Sequence, residues 1–304
     1  MSLEKMSTIL KEVDARKTAA LAFDCHNYES IGWAITAAEE LGVPVIIMQH
    51  PWLLSYIPAK TFAAITKSLA KKAKVPVGLH LDHCDSYETI LGVMKAGFTS
   101  VMFDGSKLPY EENVRRTCEV VKAAHAFGVD VEAELGRVGI AANKGDFENQ
   151  DLYTTVAQAT DFIDKTRVDA LAIAIGSAHG YYVETPHLDM TRLNEINKAI
   201  ATPLVLHGGT GIPADQLQQS FKLGINKLNL ATEYLNLFYT TTRDFQQTKD
   251  KKDDPFAFFD YQKKEVMDYL RAKFALTIPE SKAVKTNKKP AASSGSKASL
   301  SSIT

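Results

Sequence analysis

P-L-V-L-H-G-G-T-G-I-P-A-D-Q-L-Q-Q-S-F-K-L-G-I-N-K-L-N-L-A-T, residues 203–232, is the stretch that decides the fold. A short apolar run stops at His207 and a glycine-rich turn. Apolar residues at helical spacing follow, ending at Gly224, where a helix C-cap belongs. A second apolar run, K-L-N-L-A-T (227–232), then begins. The stretch reads as strand, turn, helix, strand.

The same unit repeats along the chain. Further runs are A-A-L-A-F-D-C (19–25), P-V-I-I-M-Q (44–49), V-P-V-G-L-H-L-D (75–82), S-V-M-F-D-G (100–105), V-D-V-E-A-E-L-G (129–136) and A-L-A-I-A-I-G (170–176). They are almost continuously apolar, as expected of parallel strands covered on both faces. Glycines in G-V, A-G-F and L-G-I precede several of them as helix C-caps. Eight strand–helix units without a domain break predict an α/β chain folded as a (β/α)8 TIM barrel spanning residues 1–282. A doubly wound sheet is the alternative. The first residues predict a short amphipathic helix, 248–259 a charged loop turning into an aromatic anchor, and 260–275 a terminal helix. Residues 283–304 are rich in Ser, Lys and Ala, lack aromatics, and are expected to be a disordered tail.

Bulk properties exclude several classes. A net charge of −1 over 304 residues provides no basic field for nucleic acid or a membrane surface. No apolar run approaches the roughly 18 residues of a membrane span. Cys25, Cys84 and Cys118 are scattered and odd in number, which argues for a reducing compartment and a cytoplasmic protein.

Active sites of such barrels lie at the C-terminal ends of the strands. His83, His179 and His207 fall there, as a catalytic zinc site with three protein ligands requires. A single histidine of this kind is more often a hydrogen-bonded core residue; three on one rim argue for metal. Asp82 precedes His83 and is free for acid/base work if Asp85 or Ser86 caps the next helix. Glu134 is placed to orient a metal-bound histidine or to be an alternative ligand. Glu132, two residues earlier, reads as a paired carboxylate of the barrel interior. Gly180, the turn Gly208–Gly209–Thr210 and the stretch Asn229–Leu230–Ala231–Thr232 supply backbone amides suited to a phosphate.

Taken together, H-L-D-H, G-F-T-S-V-M-F-D-G-S, E-E-N-V-x-x-T, V-E-A-E-L-G-R-V-G, A-I-A-I-G-S-A-H-G, P-L-V-L-H-G-G-T-G-I-P and N-L-A-T-E resemble the motifs of class II metal-dependent aldolases, the fructose- and tagatose-bisphosphate aldolase family. The likeness runs from about residue 5 to 280. It implies a barrel with Zn2+ on His83, His179 and His207, and Asp82 as acid/base at the aldehyde oxygen. It also implies dihydroxyacetone phosphate on the glycine turns, a monovalent cation (Na+ or K+) beside that phosphate, and a homodimer or homotetramer. With Ala231, N-L-A-T is nearer the tagatose-type members.

The departures cluster on the aldehyde side. The family's loop acid falls at Ala141 and Ala142, with Asp146 and Glu148 as the nearest acids. Its Asn-rich end of the first strand reads Asp24-Cys25-His26-Asn27. A serine near the distal phosphate becomes His50, and the Arg of D-P-R becomes Phe256. Losing a bidentate phosphate partner costs a few kcal/mol. Asp24, Asn27, His50 and Phe256 are therefore candidates for a remodelled aldehyde side, and the second substrate is expected to be uncharged or to carry a different polar tail. A replacement cation, Lys144 or Arg137, is the alternative. A zinc hydrolase and a non-catalytic sugar-phosphate-binding barrel remain rival functions.

Overall fold

The computed structural model describes residues 3–143, 145, 148–247 and 254–278. Helix α1 (Met6–Ala15) leads into β1 (Ala20–Asp24), α2 (Tyr28–Leu41), β2 (Val45–Gln49), α3 (Ala59–Ala70), β3 (Val77–Cys84), α4 (Tyr87–Ala96), β4 (Ser100–Phe103), α5 (Tyr110–Ala126) and β5 (Asp130–Leu135). Then follow β6 (Gly139–Ile140), α6 (Val156–Thr166), β7 (Ala170–Ile173), β8 (Ala178–His179), α7 (Met190–Ala199), β9 (Leu204–Leu206), α8 (Ala214–Lys222), β10 (Ile225–Leu230), α9 (Thr232–Gln246) and α10 (Pro255–Ala275).

Eight parallel strands close in the order β1-β10-β9-β7-β5-β4-β3-β2, the (β/α)8 barrel expected from the apolar runs. Alternation along each strand sorts the side chains. Leu21, Phe23, Val45, Ile47, Leu79, Leu81 and Val101 face the helices in the main core. Ala20, Ala22, Ile46, Met48, Ala170, Ala172 and Val205 face inward. Met6, Ile9, Leu10 and Val13, one face of α1, pack on this inner set and plug the N-terminal end. Above the plug the interior turns polar, with His80, Glu132 and Lys227 all fully buried. The next layer up carries Asp24, Asp82, Glu134, His207 and Asn229.

Two features were not expected from the sequence. β6 and β8 form a two-stranded sheet above the barrel. Helix α10 begins at Pro255, five residues early, because Asp254 caps the amides of Phe256 and Ala257. The anchor near the end of the 248–259 segment is Phe258 against Phe245; Phe256 is 79% exposed. Among the described residues no helix is long and apolar enough to cross a membrane.

Candidate active site

The C-terminal mouth of the barrel is a cavity of about 1040 Å3. Asp82 and His83 both line it, although neighbours on a strand point to opposite faces. The chain resolves this by breaking the pleat. His83 takes a positive φ of 40°, and the β3–β4 register shifts between Leu81 and Cys84. A left-handed histidine is strained, and such strain concentrates at functional sites. Ser86, accepting from the Thr89 amide, caps α4, so Asp82 is free of capping. His207 follows β9 and is fully buried. His179 lies in β8, held above the barrel by pairing with Ile140 of β6.

A chain of charged and polar groups crosses the cavity floor. His83 Nδ1 lies 3.0 Å from Asp104 Oδ2, and His83 Nε2 lies 2.7 Å from His207 Nδ1. His207 Nε2 lies 2.8 Å from Glu132 Oε1, and Lys227 Nζ donates to Glu132 Oε2 at 2.8 Å. Burial disfavours charge on His83, but Asp82, Asp104 and Glu134 outweigh it and push the imidazole up to about 10. Burial, then the His83 charge, hold His207 well below its usual range. The two shifts run in opposite directions, favouring charge on His83 over His207.

The rings also stand close enough together to share a metal ion. The ligand atoms of His83, His179 and His207 lie within 4.8 Å of one another, as do those of His83, Asp104 and Glu134. His179 Nε2 and Glu134 Oε2 are buried without a hydrogen-bond partner. Three imidazoles ringed by carboxylates fit a borderline divalent cation such as zinc. Glu134 stands 3.9 Å from Nδ1 of both His83 and His207 and bonds to neither ring. The carboxylate that orients His207 is Glu132, read from the sequence as a structural pair; it is paired, with Lys227, but it also holds a histidine. Burial and then Asp104 push Glu134 up to about 8.

Asp82 is a buried carboxylate beside the histidine cluster. Burial opposes its charge, but His83, His207 and Lys227 outweigh that and pull it down to about 2. Asn229 Nδ2 donates to its Oδ1 at 2.9 Å. Across the floor, Gly180, Gly208, Gly209, Thr210, Ala231 and Thr232 line the cavity. Gly208 has φ 70°, and a Cβ there would lie 2.2 Å from the Ala178 carbonyl oxygen, so only glycine makes this turn. Tyr182 pins it, its hydroxyl accepting from the Ala178 amide at 2.7 Å and donating to the Gly208 carbonyl at 3.1 Å. The Gly209 amide is taken by the Asn229 carbonyl at 3.2 Å and is not free to donate into the cavity. Helix α9 starts at Thr232 with no side-chain cap from Ala231, leaving its positive end toward the cavity.

Comparison with known proteins gives the family. The family model described as fructose-bisphosphate aldolase class-II matches residues 4–281. The chain belongs to the class II fructose-bisphosphate aldolase family. The YdjI aldolase from Escherichia coli K12 is 32% identical over 90% of this chain and 97% of its own, with a TM-score of 0.80. A putative fructose-1,6-bisphosphate aldolase from Coccidioides immitis is 27% identical over 90% of this chain and 96% of its own, with a TM-score of 0.78. The fructose-bisphosphate aldolase (Fba) from Campylobacter jejuni, at 22% identity, 91% and 95% coverage and a TM-score of 0.76, shares the fold.

The aldehyde side of this aldolase differs from the sequence expectation. Asp24 and His50 line the cavity. Burial, then Asp82, hold the Asp24 carboxyl well above the usual carboxylate range. Asn27 does not line the cavity, because its side chain accepts from the Ser30 amide as the cap of α2. Phe256 is also absent from the wall, carried to the surface by the early start of α10. The Leu230 side chain packs in the outer core, leaving only its backbone for the site. At the loop-acid position Ala141 is buried against Ala178 and Tyr182. Ala142 is exposed, and Glu148 does not line the cavity. Asp146 and Lys144 lie outside the described residues, as does the tail 283–304. Sequence reasoning gave no role to Asp104, which sits at the end of β4 in the same position as the other strand-end acids, nor to Lys227, two residues before Asn229 on the inward face of β10.

Proposed function

We propose that this aldolase reversibly cleaves a ketose 1-phosphate, with or without a second phosphate, to dihydroxyacetone phosphate and an aldehyde, using zinc. The observation that carries the reading is a three-histidine cluster with an ionised acid beside it, facing glycine turns across one cavity. His83, His179 and His207 would hold the ion, with Glu134 as an alternative ligand. Bound zinc supplies Lewis-acid polarisation of a carbonyl, which replaces Schiff-base chemistry. In keeping with that, buried Lys227 is engaged by Glu132 and lies below the cavity.

The chain's own residues then divide the work. Gly180, Gly208, Thr210, Ala231 and Thr232 bind and orient the substrate phosphate, with a monovalent cation (Na+ or K+) beside it. Asp82 takes the proton of the hydroxyl at the bond to be cleaved and returns it in condensation, at the position Asn229 fixes. Such a positioned acid/base contributes about 10²–10⁴-fold. Ala231 favours a tagatose-type substrate over a fructose-type one. The enzyme is read as a cytoplasmic homodimer or homotetramer. Ala141 at the loop-acid position favours, as a second reading, a barrel that binds sugar phosphates without turnover. Calorimetry with phosphoglycolohydroxamate, an unreactive analogue of dihydroxyacetone phosphate, tests the half-site. Zinc-loaded protein should bind it and chelated protein should not; no binding by the loaded protein removes the aldolase reading.

A further inference from the structure

The cavity rim carries positive charge that the proposed chemistry does not use. Lys107, in the turn after β4, Arg116 on α5 and Arg137, just past β5, all line it. Arg116 is engaged by Glu112 on its own helix, Nε to Oε1 at 2.6 Å. Lys107 and Arg137 are exposed, and among the described residues neither side chain forms an ion pair or hydrogen bond. They stay unpaired although Asp85, Asp104 and Glu134 line the same cavity.

Their position follows from the barrel order. β4 stands four strands from β10 in the closed ring of eight, diametrically opposite. Lys107 therefore faces the turns after β9 and β10 across the histidine cluster, and Arg137 extends the same wall. A substrate with its phosphate in those turns and its reacting carbons over the histidines sends its far end toward Lys107 and Arg137. The cavity, about 1040 Å3, has room for such a chain. Unpaired cations at the end of a cleft attract and orient an anion, and the Arg guanidinium fork matches carboxylate and phosphate alike. The wall between the cations and the turns, on the β2 side, contributes His50, Pro51 and Trp52.

We propose that Lys107 and Arg137 form a distal-anion subsite, so that the preferred substrate is a ketose 1-phosphate whose far end carries a carboxylate or a phosphate. This rests on the aldolase reading above. The test uses three ketose 1-phosphates of matched length and stereochemistry ending in a hydroxymethyl, a carboxylate or a phosphate group. kcat/KM for cleavage by zinc-loaded enzyme is measured beside calorimetric affinity. An anionic end should raise kcat/KM at least tenfold over the neutral end, and the larger of the two gains identifies the anion. In the Lys107→Met/Arg137→Met variant the ratio of anionic to neutral should fall toward one. A wild-type ratio near one, or a high ratio that survives both substitutions, overturns the subsite. Turnover without anion preference removes the subsite and keeps the aldolase; anion-selective binding without turnover does the reverse.

Discussion

Substituting Glu132 by Gln should weaken metal binding without touching a ligand. Glu132 is fully buried, and its two oxygens are engaged on opposite sides, by His207 Nε2 at 2.8 Å and Lys227 Nζ at 2.8 Å. A glutamine offers one acceptor and one donor in the same space. If its oxygen faces Lys227, its amide donates toward His207 Nε2, which must give up its proton. The ring then carries its proton on Nδ1, the nitrogen that faces His83 and the metal position. If the oxygen faces His207, the amide meets the Lys227 ammonium and leaves it uncompensated. Loss of a partner that orients a metal-bound histidine typically costs 10–100-fold in metal affinity, about 1.4–2.7 kcal/mol. Breaking a buried pair costs about 3–5 kcal/mol of stability, a drop in Tm on the order of 10 °C for a chain of this size. The two effects separate in Glu132→Leu/Lys227→Met. Replacing both partners by apolar groups restores most of the stability, but His207 still lacks its acceptor. Chelator competition and thermal melts of metal-free and zinc-loaded protein read both quantities. Wild-type zinc affinity in the folded double variant would refute the role given to Glu132.

Asp82→Asn should keep zinc and phosphoglycolohydroxamate affinity and lose about 10²–10⁴-fold in kcat; wild-type turnover would return Asp82 to a structural role. Zinc binding should release protons. His83 is protonated up to about pH 10 and Glu134 up to about 8 in the metal-free site, so affinity should climb about tenfold per pH unit between 8 and 10, and calorimetry in buffers of different ionisation enthalpy should count at least one proton at pH 9. The His83 shift also has a sign for folding. Its folded value lies above its ordinary 6.5, so its charge stabilises the metal-free fold below that pH, and the contribution fades as pH rises through about 10; urea titrations of metal-free protein should show that loss.

The barrel was legible because its strands are buried on both faces, which leaves unbroken apolar runs such as A-L-A-F in β1 and V-I-I-M in β2. The histidines were legible because each ends such a run before a turn. What escaped depends on long-range pairing or on competition between local roles. β8 is two residues long and exists by pairing with β6, thirty-nine positions earlier in register. The inward turn of His83 contradicts the alternation that reads strands from sequence, and comes with its φ of 40° and the register shift between Leu81 and Cys84. Glu132 meets Lys227 across the barrel interior, 95 positions apart. Asn27 and Phe256 were assigned to the aldehyde side by position alone. Local capping decided otherwise, since Asn27 caps α2 and Asp254 starts α10 early enough to carry Phe256 to the surface.

The central claim, a metal-dependent aldol cleavage run by this histidine cluster, is tested most directly by release of dihydroxyacetone phosphate from a panel of ketose 1-phosphates and 1,6-bisphosphates, with zinc-loaded and with chelated protein. At least one ketose phosphate should be cleaved by the loaded enzyme, and chelation should abolish that activity and zinc readdition restore it. Cleavage undiminished by complete removal of metal, or none from any member of the panel by fully loaded enzyme, would contradict it.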